Sequence, residues 1–164
     1  MSEAGFWSGV SLPELGAGAG YAIFGWRACA RGAGNCCAVR RTFANLFGEE
    51  GHAARQCIDG FANMLACAGR RPVSLAVPGT AHVTADEMSF VAALAAAQSG
   101  QTDKLEAHLT WLFAGDFPPE AREAVTCAAS IFYQHGIWVE EPNMDAPSNC
   151  ATPRSVPVAY SGSA

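Results

Sequence analysis

Apolar residues recur at helical spacing along most of the chain. The clearest stripe, formed by Ala54, Ile58, Phe61, Leu65 and Ala68, predicts a helix over residues 49–68. Similar patterns, with glycines or prolines at their ends, predict five further helices over residues 19–31, 36–47, 85–99, 102–114 and 118–135. We therefore expect a mainly α protein with about six helices in a compact, bundle-like domain.

The helix predicted over residues 85–99 differs from the others. Thr84 and Glu87 have the spacing of a capping box at its start, and Gly100 is suited to its end. Its centre, residues 90–97, is apolar on every side. A helix of that kind is normally buried, so we expect it to be the central helix of the domain.

Two short segments favour strands. In the first, Val73, Leu75 and Val77 alternate with smaller or polar residues between a proline and a Pro-Gly pair. The second is "IWVEEP", residues 137–142. Each follows an apolar helix and a glycine, and we predict that the two pair as a small two-stranded β element.

Both ends of the chain lack periodicity. Residues 1–17 contain Gly, Ser and Pro without a regular pattern, and residues 143–164 are rich in Pro and Ser. We predict a flexible N-terminal segment over 1–17, a single helical domain over 18–142 and a flexible C-terminal tail over 143–164. The alternative for the tail is that Val156, Val158 and Tyr160 dock as an added strand.

Composition indicates a cytoplasmic protein. The first residues carry neither a basic cluster nor an apolar stretch of the kind that forms a secretory signal. No run reaches the roughly 18–20 apolar residues of a membrane helix, so no membrane partner is expected. The seven cysteines, an odd number, are read most simply as reduced thiols.

Charge is distributed unevenly along the chain, whose net charge is −5. From residue 21 to 71, seven arginines oppose three acidic residues; from 72 to 145, two basic residues oppose ten acidic ones. The acidic total does not favour nucleic-acid binding. The polarity suits an anionic partner, self-association or pairing within the chain.

The Arg-rich segment from Arg27 to Arg71 supplies the candidate partner-binding residues. Arginine grips carboxylate and phosphate groups with two parallel hydrogen bonds. Pairs of arginines stand near predicted helix or loop boundaries. The candidates are Arg31, Arg40, Arg41, Arg70 and Arg71.

The stretch "RACARGAGNCC", residues 27–37, is the candidate for metal or redox chemistry. Cys29, Cys36 and Cys37 lack the C-x2-C spacing typical of a zinc site, so buried or incidental thiols are the favoured interpretation. The alternative is a metal, haem or redox site. It is favoured by the position of Cys36 and Cys37 at a predicted helix N-terminus near arginines, which lowers a thiol pKa.

His108 and Trp111 are the candidates for lining a cofactor cavity. His108 falls on the apolar face of the helix predicted over 102–114, where a buried imidazole is either hydrogen-bonded to a neighbour or used as a ligand. Trp111 flanks that face and is suited to closing a groove or an interface.

No catalytic motif accompanies these residues. The chain has no GxSxG, and "GAGAG" at residues 16–20 lacks the GK[ST] of a phosphate-binding loop. We assign no catalytic residue and expect no cofactor, with haem or a metal as the alternative. The leading hypothesis is a non-catalytic interaction, regulatory or accessory protein with a protein partner or a homo-oligomeric state. A cofactor-binding or redox protein is second, and a small enzyme of unknown reaction is third.

Overall fold

The structure, a computed structural model, describes residues 7–144 and 156–158. Its helices within these residues are α1 (Leu12–Ala30), α2 (Cys37–Phe47), α3 (Gly51–Ala68), α4 (Ala85–Gln98), α5 (Thr102–Phe113) and α6 (Pro119–Gln134). Its strands are β1 (Trp7–Ser11), β2 (Val73–Leu75), β3 (His82–Thr84) and β4 (Val156–Val158). The predicted mainly α fold class with a small β element is confirmed.

The central position predicted for α4 is also confirmed. All residues from Asp86 to Ala96 are buried, and the helix packs against α1, α5 and α6. The rings of Trp26 and Phe90 lie 4.6 Å apart between centroids, and those of Phe61 and Phe90 stack at 5.2 Å. The centre of the helix, residues 90–96, has no polar side chain and is stable in this position because it is buried against other elements.

The capping box of α4 has the predicted geometry. The backbone N–H of Glu87 donates to Thr84 Oγ1 at 3.1 Å, and the backbone N–H of Thr84 donates to Glu87 Oε2 at 2.9 Å. The two residues thus satisfy donors that the first turn of a helix leaves unpaired. The helix begins where the sequence indicated.

The N-terminal segment is more ordered than the sequence predicted. Residues 7–11 form β1, which pairs antiparallel with β3, and α1 begins at Leu12 rather than near residue 19. A second capping box, in which Ser11 N–H and Oγ donate to Glu14, starts α1. Gly16, with φ of 84°, kinks the helix soon afterwards. The missed strand pairs with a distant segment, which local periodicity does not reveal. Residues 1–6 lie outside the described residues.

The predicted pairing of the two strand segments is wrong. β2 forms over Val73–Leu75, but it pairs antiparallel with β4. Residues 137–142 are not a strand, and the side chain of Gln98 bonds two of their backbone groups. Val139 N–H donates to Gln98 Oε1 at 2.8 Å, and Gln98 Nε2 donates to the Ile137 carbonyl at 3.0 Å.

The predicted flexible tail, 143–164, is described only in part. Its residues 156–158 form β4, so the alternative of an added strand is confirmed for this segment. Residues 145–155 and 159–164 lie outside the described residues. Within the described part of the chain, no helix is both long and apolar enough to cross a bilayer.

Candidate anion-binding groove

A groove of about 500 Å³ lies between the outer face of α2 and the beginning of α3. We call it the arginine groove. Its polar lining consists of Arg40, Arg41, His52, Arg55, Glu49 and the thiol of Cys37. Volumes of roughly 300–1,000 Å³ are usual for sites that bind small ligands.

The amphipathic pattern of α2 directs its two arginines to the groove. Val39, Phe43 and Phe47 recur every four residues and are buried, and the rings of Phe43 and Phe47 lie 5.6 Å apart. Arg40 and Arg41 lie beside this stripe in sequence and are exposed. The burial that docks α2 on the core therefore also places both guanidinium groups outside it.

Gly51 allows the start of α3 to approach α2 closely. A Cβ atom at this position would lie 2.5 Å from the Phe43 carbonyl oxygen and 2.9 Å from the Ala44 nitrogen. Because both contacts are with backbone, any larger residue would force the helices apart. This approach brings His52 and Arg55 within reach of the face that carries Arg40 and Arg41.

Two hydrogen-bond contacts fix the position of the Arg55 guanidinium. Its side chain is buried; Nη2 lies 2.8 Å from Nδ1 of His52, and Nη1 donates to the Gly34 carbonyl at 3.4 Å. Since a guanidinium has only donors, His52 Nδ1 accepts this hydrogen bond, and its neutral form carries the proton on Nε2. His52 therefore orients Arg55 without neutralising its charge.

The groove arginines lack carboxylate partners among the described residues. The side chains of Arg40 and Arg41 form neither a hydrogen bond nor an ion pair there, and Arg55 has no carboxylate oxygen within 4.0 Å. Glu49, on the groove wall, pairs with none of the three. Elsewhere, Arg27, Arg71, Arg122 and Lys104 each lie within 3.0 Å of an acidic oxygen. Unpaired positive charge is thus concentrated at the groove.

The other three candidate partner-binding arginines lie outside the groove. Arg31 is half-buried and donates to the carbonyls of Arg27 and Ala76. Arg71 forms two hydrogen bonds with Asp86, at 2.7 and 3.0 Å. Arg70 is exposed, 3.9 Å from a carboxylate oxygen of Asp116. The structure therefore brings together only Arg40 and Arg41 of the predicted set.

The candidate metal-binding cysteines do not converge. Cys29 is buried beneath Gly34, while Cys36 and Cys37 are exposed. Burial, reinforced by the negative charge of Asp59, raises the pKa of the Cys29 thiol to about 12, so it stays protonated. In the described residues, no three His, Cys, Asp or Glu side chains are arranged to hold a metal ion.

His108 and Trp111 belong to different surroundings. His108 is half-buried on α5, and this burial lowers its pKa despite the opposing influence of Glu141. Trp111 is exposed; its indole N–H donates to Asp86 Oδ1 at 3.2 Å, and Arg71 lies 5.1 Å from its ring centroid. Trp111 is therefore a partner of the Arg71–Asp86 pair.

Sequence analysis missed Arg55 and His52. Both precede or flank the apolar stripe of α3, and the i, i+3 spacing of a histidine and an arginine was the only local sign of their contact. Their position opposite Arg40 depends on the packing of α2 on α3.

No family model, no curated protein and no solved structure matches this chain.

Proposed function

We propose that the protein is a non-catalytic binding protein that captures an anionic group in the arginine groove. The observation that carries this proposal is the convergence on one groove of three arginines that have no carboxylate partner in the described part of the chain. Outside the groove, Arg27, Arg71 and Arg122 each have a carboxylate oxygen within 3.0 Å. An external carboxylate or phosphate is the matching group for those in the groove, because arginine recognises such anions with two parallel hydrogen bonds.

The three arginines of the groove lie at different depths. Arg55 is buried and held by His52 and Gly34, so its position is set before a ligand arrives. Arg40 and Arg41 are exposed on α2, where a positive field attracts an anion from solution. Such an arrangement suits an anionic group that enters between α2 and α3 and meets the fixed guanidinium last.

Isothermal titration with pyrophosphate and with an oligoglutamate peptide tests the proposal. We expect the wild-type protein to bind at least one of these probes. The double variant Arg40→Glu, Arg41→Glu should abolish this binding without lowering Tm, because both side chains are exposed and unpaired within the described structure. Bound ligand should also raise the wild-type Tm, since it binds only the folded state.

A matched control distinguishes the loss of the groove arginines from the effect of a change in net charge. The double variant Arg70→Glu, Arg122→Glu makes the same change in net charge at exposed positions outside the groove. It should retain wild-type affinity apart from a small, salt-dependent loss. Equal weakening in both double variants, or binding unaffected in both, would contradict the proposal.

A further inference from the structure

The packing between α3 and α6 places two cysteines, Cys57 and Cys127, at the same level of neighbouring helices. Contacts at both ends show that the helices are antiparallel. At one end, His135 Nε2 lies 3.3 Å from a carboxylate oxygen of Glu50; at the other, Arg70 lies 3.9 Å from Asp116. In an antiparallel pair, residues that face one another have sequence numbers of nearly constant sum. In both contacts the two residue numbers add up to about 185, so one register describes both ends of the pair.

Cys57 and Cys127 satisfy the same register. Cys57 lies about 10.5 Å along α3 from Glu50, and Cys127 about 12 Å back along α6 from His135, at 1.5 Å per residue. The two cysteines therefore lie at the same level of two packed helices, and the Cys127 thiol is near enough to Cys57 to contribute to the shift of its pKa. Cys57 is half-buried and Cys127 is exposed, so a reagent in solution reaches one thiol of the pair first.

We propose that Cys57 and Cys127 form a redox modification site, at which a low-molecular-weight disulfide such as glutathione disulfide is reduced to two thiols and an α3–α6 disulfide is left behind. The site is independent of the arginine groove. Its two cysteines lie in register on packed antiparallel helices, which is the arrangement that a disulfide between α3 and α6 requires.

The reaction has two exchange steps. The Cys127 thiolate attacks one sulfur of the small disulfide, a protein mixed disulfide forms, and the first small thiolate leaves. The Cys57 thiolate then attacks Sγ of Cys127 and expels the second small thiolate. The two protein thiols are oxidised, the small disulfide is reduced, and the two protons lost from the protein end on the released thiols.

The second step is expected to be the slow one. Burial, together with the neighbouring Cys127 thiol, raises the pKa of Cys57 to about 12. Burial persists in the mixed disulfide, so little Cys57 thiolate is present at neutral pH. The closing rate should therefore rise about tenfold per pH unit between pH 7 and 9, in proportion to that thiolate.

The test treats the reduced 164-residue protein with glutathione disulfide and follows its mass over time. We expect mixed disulfides on exposed cysteines, followed at position 127 by loss of glutathione. Proteolysis without reductant should then yield a linked pair of peptides containing Cys57 and Cys127. This map of the wild-type protein decides the question without any variant. Mixed disulfides that persist without this linked pair, or linkage only between other cysteines, would overturn the proposal.

Two variants assign the steps. Cys57→Ser should stop at the mixed disulfide on Cys127, whereas Cys67→Ser, at an exposed position of the same helix, should form the linked peptide at the wild-type rate. Loss of the linked peptide from both variants would show that Cys67 takes part and would overturn the assignment. A closing rate independent of pH would likewise overturn Cys57 as the attacking thiol.

Discussion

Arg27 and Glu87 form an ion pair that is almost completely withdrawn from solvent. Arg27 Nε donates to Glu87 Oε1 at 2.6 Å, and the two side chains are 3% and 0% exposed. Arg27 also donates to the carbonyls of Thr80 and His82, while Glu87 accepts from the N–H of Ala76. The pair thus fastens α1 to α4 and fixes the segment between β2 and β3.

Removal of one partner from this pair should destabilise the fold severely. Glu87→Ala leaves the buried charge of Arg27 without its carboxylate and removes the acceptor of the Ala76 and Thr84 N–H groups, so we expect a loss of about 3–5 kcal/mol in the free energy of unfolding. Urea denaturation measures this loss. Arg122→Ala, which breaks the exposed pair with Glu106, should cost about 0–1 kcal/mol. Similar losses in the two variants would contradict the role of burial.

The contact of Arg71 with Asp86 and Trp111 gives a spectroscopic prediction. Asp86 is buried and receives hydrogen bonds from Arg71, Ser74 N–H and the Trp111 indole. Arg71→Ala should cost about 1–2 kcal/mol, because Arg71 is partly exposed and two donors to Asp86 remain. It should also change the emission of Trp111, which loses the overlying cation. The change should be absent when Trp111→Phe is already present; an emission change that persists there would contradict it.

Two glycines of α3 should respond oppositely to the same substitution. Gly51→Ala places a methyl group against the backbone of α2, and we expect a loss of about 1–3 kcal/mol together with weaker anion binding in the groove. Gly60→Ala meets no atom within 4 Å and should stabilise the helix by about 0.5–1 kcal/mol. Thermal unfolding of both variants checks this. A Gly51 variant as stable as wild type would show that α2 and α3 do not approach so closely.

His108 should make stability fall on the acid side of neutrality. Burial lowers its pKa below the ordinary value of 6.5, with Glu141 opposing and Lys104 adding to this effect. The folded state therefore favours the neutral imidazole. Its stabilising contribution is present above pH 6.5 and is lost as pH falls through the lower folded-state pKa.

The measurement is urea denaturation between pH 8 and pH 5 for the wild type and His108→Gln. The variant, which lacks the titrating ring, should show a weaker decline of stability over this range. A decline of the same size in both proteins would assign the effect to other groups. An NMR titration of the His108 ring gives the folded-state pKa directly.

The local sequence pattern by itself determined where the helices form. Each stripe of apolar residues, with its capping residues and glycines, is a local pattern, because side chains three and four positions apart share one helix face. The all-round apolar character of α4 was sufficient to place it at the centre. The exposure of Arg40 and Arg41 likewise follows from the stripe of Val39, Phe43 and Phe47 on α2.

Only the tertiary structure decided which charges are satisfied and which strands pair. Arg27 and Glu87 are 60 residues apart, and Arg71 and Asp86 join segments of opposite net charge, so neither pairing is encoded in local spacing. The prediction of a strand at residues 137–142 was wrong, and the side chain of Gln98 at the end of α4 instead bonds two backbone groups of that segment. The groove depends on the same cause: Arg55 joins Arg40 and Arg41 only because Gly51 lets two helices pack at backbone contact.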